Sequence, residues 1–289
     1  MDTTTTAYRF GAAAGRRVPP GLTHRVLPRA GRIAVRFAAE RRAMVERHQR
    51  RVRPQITDDE LAATVDSVFA TYARYFTDTA RLQNLDPVEV DRGFSYEGFE
   101  HIENAWAAGR GTMLVLPHLG GWEWAGSWLT KVPGYRVMAV VEPVENEELR
   151  EWMKGLRNSI GMDIVPLGPG VGAEIVRRLK LGDIVCLMGD RNIGDGAVDV
   201  DFFGERTQLP GGPATLAFRT GAAIVPVAVY HRGAKSHAIV EPPVPAVREG
   251  RLRADVERVT QDIAHVLERQ IRRAPEQWIV LQPNWPSDR

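Results

Sequence analysis

Apolar positions along the chain follow two regimes, and the change comes near residue 93. Before it the spacing is helical. Val26, Leu27, Ala30, Ile33, Ala34, Phe37, Met44 and Val45 recur mostly three and four residues apart, which predicts a helix to about residue 52. A second helix is predicted from Thr57-Asp58-Asp59-Glu60, a sequence with the form of a capping box. Leu61, Val65, Val68, Phe69, Tyr72, Tyr75 and Phe76 supply its apolar face. After residue 93 short apolar runs alternate with amphipathic ones. Residues 112–116, 136–141, 163–167, 183–188, 198–203 and 223–229 read as strands, and 237–241 as an edge strand. Residues 97–108, 122–129, 146–160, 172–181, 213–220 and 252–273 read as helices. Such alternation predicts an α/β fold, a layered and largely parallel central sheet flanked by helices, behind a helical N-terminal segment. Residues 1–20, rich first in Thr and then in Gly, Ala and Arg, read as a flexible arm. The rest, 21–289, reads as a single domain with a helical part at 21–92 and an α/β core at 93–289.

Composition adds exclusions. With 44% apolar and 26% charged residues among 289, the chain is neither disordered nor fibrous. Its one cysteine, Cys186, excludes an intramolecular disulfide and a multi-cysteine zinc site. The apolar run around it predicts a buried structural thiol. No stretch of 18 apolar residues predicts a transmembrane helix, and residues 1–17 lack the apolar core of a signal peptide.

Charge changes the picture more. The net charge of +2 hides 13 arginines against three acids in residues 1–53, a local +10 that leaves −8 on the remaining 236 residues. A basic segment on an acidic body points to an anionic partner. Arg25, Arg29, Arg32, Arg36, Arg42 and Arg50 fill much of the face opposite the apolar one, as in helices that lie in a membrane interface. A core helix with a solvated arginine face has the same pattern. Only Tyr8, Phe10 and Phe37 are rings, too few to stack on single-stranded nucleic acid.

Candidate chemistry gathers just past apolar strands, where α/β sheets place their sites. Pro117-His118-Leu119-Gly120-Gly121-Trp122-Glu123 follows the strand at 112–116. A histidine there can serve as general base near neutral pH, and Glu123, in the first turn of the next helix, can fix its tautomer or stabilise its cation. Gly120 and Gly121 allow a tight turn and close approach of a ligand. Met188-Gly189-Asp190-Arg191-Asn192 follows another strand; Asp190 and Arg191 can form a local ion pair, or orient a polar head group and a phosphate. Arg157, late in a helix, is either a helix-terminal cation or a site residue. Gly168-Pro169-Gly170-Val171-Gly172 lacks the residues of a P-loop and the spacing of a dinucleotide loop. The other histidines show no metal-ligand spacing, so no metal is expected.

Taken together and in order, four places resemble the lysophospholipid-acyltransferase-like superfamily. They are the H-x4-E motif at His118–Glu123, Arg157 ahead of Gly161-Met162-Asp163-Ile164-Val165-Pro166-Leu167, the Asp190-Arg191 pair, and residues 198–205 followed by Pro210-Gly211-Gly212-Pro213-Ala214. The ending from Trp278 through Leu281-Gln282-Pro283-Asn284-Trp285 is also similar. Within the superfamily the match is to the branch of lipid A lauroyl/myristoyl and phosphatidylinositol mannoside acyltransferases. The absent membrane-spanning segment favours the mannoside type, with the lipid A type as the alternative. The resemblance implies a glycerolipid-acyltransferase-like fold and direct transfer of an acyl chain from acyl-CoA or acyl carrier protein to a glycolipid hydroxyl, with no cofactor. It implies His118 and Glu123 as the catalytic pair. Arg157, Asp190 and Arg191 would bind substrate, with backbone N–H groups near Gly120–Gly121 or Arg157 serving the oxyanion. Trp122, Trp124, Trp128, Phe202 and Phe203 are the aromatic candidates for an acyl groove. The expected state is a monomer, peripheral on the cytoplasmic face of the inner membrane, held there by the basic segment and without nucleic acid. The non-enzymatic competitor is a basic peripheral membrane-binding protein.

Overall fold

The computed structural model of the protein describes residues 39–142, 146–194 and 196–289. The arm expected at 1–20, and the expected basic helix as far as residue 38, lie outside the described residues. The described chain opens with α1 (Ala39–Val52) and α2 (Asp58–Leu82). The capping box at the start of α2 forms as its sequence predicts. The Thr57 hydroxyl accepts from the Glu60 N–H, and the Glu60 carboxylate accepts from the Thr57 N–H at 3.0 Å. Asp86 and Glu89 close the same box on a short helix, α3 (Pro87–Arg92), which the apolar pattern does not reveal.

Strands and helices then alternate. They run β1 (Phe94–Glu97), α4 (Glu100–Ala107), β2 (Thr112–Leu116), α5 (Trp122–Lys131), β3 (Val137–Val141), α6 (Glu147–Ser159), β4 (Met162–Pro166), α7 (Val171–Lys180) and β5 (Ile184–Met188). After β6 (Ala197–Phe202) and β7 (Glu205–Pro210) come α8 (Gly212–Thr220), β8 (Ala223–Arg232), β9 (Lys235–Val240) and α9 (Leu252–Arg273). Seven strands form one sheet in the order β1-β9-β8-β2-β5-β3-β4. Every pairing in it is parallel except the β8–β9 hairpin.

Three expectations change. The 237–241 strand is not an edge, because β1 pairs with it outside. β1 itself, Phe-Ser-Tyr-Glu with only Phe94 buried, is too polar to stand out as a strand. The strand read at 198–203 does not join the sheet; as β6 it forms a separate antiparallel ribbon with β7.

β2 is buried at all five positions, as a central parallel strand must be. Its alternation divides the core. Met113 and Val115 face a cluster that includes Val259, Ile263 and Leu267 of α9, while Leu114 and Leu116 face Trp128 and Leu129 of α5. A third cluster joins α1 and α2 to the C-terminal segment through Val45, Val68, Ile279 and Leu281. Among the described residues no helix is long and apolar enough to cross a membrane.

Candidate active site

The register between β2 and β5 builds the first half of the site. Leu116 lies opposite Met188, so two residues further on His118 comes opposite Asp190, past the carboxyl ends of both strands. The Gly189 N–H, bonded to the Leu116 carbonyl at 2.9 Å, carries the pairing up to the turn. Asp190 is fully buried, and its Oδ1 sits 2.7 Å from His118 Nδ1. Its Oδ2 accepts from the His118 backbone N–H at 2.8 Å and from Trp278 Nε1 at 2.7 Å. Burial alone would raise the Asp190 pKa, but the neighbouring His118 and these three bonds outweigh it and hold the carboxyl below its usual range. The ionised carboxylate accepts a hydrogen bond from Nδ1–H, which leaves Nε2 as the basic nitrogen of the ring. His118 itself is partly exposed, with 26% of its side chain accessible.

Glu123, expected beside the imidazole, is placed elsewhere. Asp190 occupies the place beside the imidazole that was expected for Glu123. The first turn of α5 directs Glu123 towards α2 and α6, where its Oε1 accepts from the Tyr75 hydroxyl and from Arg157 Nε and Nη2 at 3.3 and 3.1 Å. Arg157 Nη2 also donates to the Tyr75 oxygen at 3.0 Å. Burial raises the Glu123 pKa despite Arg157, and burial pushes the Tyr75 phenol well above its ordinary value. Burial alone would lower the Arg157 pKa, but Tyr75 and Glu123 outweigh it and keep the guanidinium charged. Trp122 touches both halves of the site: its ring stacks on Tyr75 at 4.4 Å and meets His118 edge-on at 5.7 Å.

Asp190 and Arg191 form no local pair with each other. Arg191 turns the other way and holds the Glu142 carboxylate in a bidentate fork at 2.8 and 2.9 Å. Gly120 makes the turn after His118 with φ +61°, and a Cβ there would overlap the Val229 carbonyl. Its N–H is committed to the Gln277 carbonyl at 3.1 Å, so it is not an oxyanion donor.

A cavity of about 630 Å³ opens at this end of the sheet, within the usual range for ligand pockets. His118, Glu123, Arg157 and Arg191 line it. Leu116, Trp128 and Val227 line it on one face of the sheet and Ile175, Leu187 and Leu216 on the other. Trp122 and Trp128 thus stand in the wall, but Trp124, Phe202 and Phe203 do not. Trp124 packs on α3, with Nε1 donating to the Val90 carbonyl at 3.0 Å. Phe202 stacks on Trp285 at 5.7 Å, and Phe203 lies beneath the Arg272 guanidinium. Both follow from β6 lying in the ribbon rather than in the sheet. Cys186 also lines the cavity, and burial pushes its thiol up to about 12. Among the described residues no group of histidine, cysteine and acidic side chains is arranged to hold a metal.

Sequence reasoning missed Tyr75, which it placed only on the apolar face of a helix, and the contacts of Trp278 and Asn284, whose motif it noted without a role. The Asn284 side chain donates to the Asp190 carbonyl at 2.9 Å.

A histidine–aspartate pair at the carboxyl edge of a parallel sheet, opening on an apolar cavity, places the protein among α/β enzymes that act on ligands with apolar length. The chain belongs to the bacterial lipid A biosynthesis acyltransferase family, whose model matches residues 3–287, and it is an acyltransferase. It is 33% identical over 238 residues to the phosphatidylinositol mannoside acyltransferase of Mycobacterium tuberculosis (strain CDC 1551 / Oshkosh), covering 81% of this chain and 72% of that one. To the protein of that name from Mycolicibacterium smegmatis it is 34% identical over 236 residues, covering 81% and 74%. A lipid A biosynthesis acyltransferase of Haemophilus influenzae is 23% identical over 177 residues, covering 60% and 54%.

Proposed function

We propose that the protein moves a fatty acyl chain from an acyl thioester, acyl-CoA or acyl carrier protein, to a hydroxyl of a phosphatidylinositol mannoside. The observation that carries this reading is the His118–Asp190 pair on the rim of the apolar cavity. The acceptor follows the mycobacterial relatives, which are more alike to this chain than the Haemophilus lipid A protein.

His118 Nε2 takes the proton of the acceptor hydroxyl as its oxygen attacks the thioester carbonyl. Asp190 holds the ring and stabilises the imidazolium that forms. The carbonyl becomes an oxyanion, for which Arg157 in the cavity wall or the Gly121 N–H is the donor, since the Gly120 N–H is engaged. The oxyanion then collapses, the carbon–sulfur bond breaks, and the thiolate takes the proton from His118. Proton and electron pair both balance, so the step needs no cofactor. A Cys186 thiol at about 12 is a poor nucleophile, which agrees with direct transfer. Trp122, Trp128 and Leu116 line the wall against which the acyl chain lies. Arg191, braced by Glu142, faces the polar head of a substrate. Glu123 acts by fixing Arg157 rather than by touching the imidazole. The enzyme works as a monomer at the cytoplasmic face of the inner membrane, drawn there by its basic N-terminal segment.

The test is thiol release by purified protein from palmitoyl-CoA with a phosphatidylinositol mannoside acceptor. His118→Ala abolishes release while its circular dichroism stays that of the parent. Full activity in that variant overturns the assignment of His118 as base.

A further inference from the structure

The C-terminal segment crosses the site along its whole length, and its contacts converge on the two residues of the acid–base pair. The Trp278 indole N–H donates to Asp190 Oδ2 at 2.7 Å, and the Asn284 amide donates to the Asp190 carbonyl at 2.9 Å. The Ile279 N–H bonds the His118 carbonyl at 2.9 Å, and the Gln277 carbonyl receives the Gly120 N–H at 3.1 Å. Both Trp278 and Trp285 are fully buried.

The segment is in turn fastened by α1. His48, itself buried between the rings of Trp278 and Trp285, bonds the Val280 carbonyl through Nδ1 and Asp288 Oδ2 through Nε2, both at 3.1 Å. Gln49 donates to the Pro275 carbonyl at 2.8 Å. The Arg51 guanidinium lies over Trp285 at 4.4 Å and bonds Asp288 Oδ1 at 2.9 Å.

We infer that residues 277–288 form a strap that positions the Asp190–His118 pair, and that Trp278 is the positioning residue through which it acts. A buried carboxylate that loses one of its donors leans more on those that remain. Without the indole, Asp190 Oδ2 keeps only the His118 backbone N–H, so more of the carboxylate charge is left for the imidazole at Oδ1; the indole N–H thus sets how strongly Asp190 holds His118 and where the ring sits. Trp278 touches no substrate; it works on the reaction only through Asp190. The inference rests on the reading of His118 as the base.

Trp278→Phe keeps a ring in the core and removes the N–H. In the thiol-release assay kcat falls about tenfold, with KM within about twofold. The acid limb of the kcat/KM profile moves to higher pH, because the carboxylate now draws more on the histidine proton. Made in an Asp190→Asn background, the same substitution lowers kcat by less than about twofold further, since the group it acts through is already altered. An equal tenfold loss in both backgrounds, with an unmoved acid limb, overturns the inference and reduces Trp278 to packing. If Trp278→Phe does not fold, replacing Trp278 with its sulfur isostere 3-benzothienylalanine removes the same N–H with the shape kept, and the two outcomes read the same way. Activity in His118→Ala fails the parent reading. An inactive His118→Ala beside a Trp278→Phe with parental kcat and pH profile fails the strap alone.

Discussion

Glu123 in the cavity wall and Asp190 behind His118 are both buried carboxylates, and their surroundings push them in opposite directions. Burial raises Glu123, while His118 and the indole of Trp278 hold Asp190 down. A raised carboxyl pKa means that the folded state binds the proton more tightly than the unfolded chain, whose glutamates titrate near about 4.3. The stability Glu123 contributes is therefore present below that value and lost as pH rises through its folded pKa. Chemical denaturation of the parent and of Glu123→Gln from pH 4 to pH 8 is the measurement. The parent loses stability relative to the variant as pH rises, and an opposite slope contradicts the burial argument. His118, Glu123, Asp190 and Arg191 drew attention in the sequence because they follow apolar strands, whereas Arg157 was singled out by the family resemblance. Which carboxylate meets the imidazole was not legible. That depends on β2 lying beside β5, 72 residues on, and linear spacing favoured the nearer Glu123.

α1 and the final 3-10 turn (Pro286–Asp288) are joined by a buried ion pair rather than by apolar contact alone. Asp288 accepts from His48, from Arg51 and from the backbone N–H groups of Asn284 and Trp285 at 2.9 and 3.1 Å. Burial alone would raise its pKa, but the His48 bond and the two backbone bonds outweigh it and hold the carboxyl far below the ordinary aspartate range. The sign is the reverse of that for Glu123. Stability from Asp288 is fully present above about pH 3.9, the unfolded aspartate value, and is lost as pH falls towards its folded pKa. Asp288→Asn leaves Arg51 without its buried counter-charge and His48 without its carboxylate partner, and lowers unfolding free energy by about 3–5 kcal/mol near pH 7. That deficit shrinks below pH 4; a deficit independent of pH points to packing. At this scale the caps were readable, as at Thr57–Glu60, and so were the strands with continuous apolar runs. β1 and β7 were not, because Phe-Ser-Tyr-Glu and Glu-Arg-Thr-Gln-Leu-Pro are stabilised by partners distant in sequence and carry little apolar signal of their own.

Over the whole molecule, the basic character of residues 1–53 divides in two. Arg42, Arg47, Arg50, Arg51 and Arg53 are bonded within the fold, to Asp66, Asp288, Asp58, Glu205 and Thr64 among others. The face of α1 that read as solvated or lipid-facing is thus partly spent on intramolecular pairs. Residues 1–38 hold seven further arginines against one acid, and these carry the proposed attraction to an anionic surface. Full-length protein should sediment with phosphatidylglycerol-containing vesicles, and the bound fraction should fall steeply between 0.1 and 1 M salt, where the Debye length drops from about 10 to 3 Å. Substituting Arg25, Arg29, Arg32 and Arg36 together by Gln should release the protein from the vesicles with acyl transfer to dispersed acceptor retained; binding that survives both treatments refutes electrostatic attachment. Cys186 gives the assembled molecule a gauge of its own. It is the chain's sole thiol and it stands in the wall of the cavity, so a small neutral mercurial has a single place to react. The speed of that reaction reports how open the cavity is, and a ligand that fills it slows the labelling, with no engineered probe and no competing sulfhydryl.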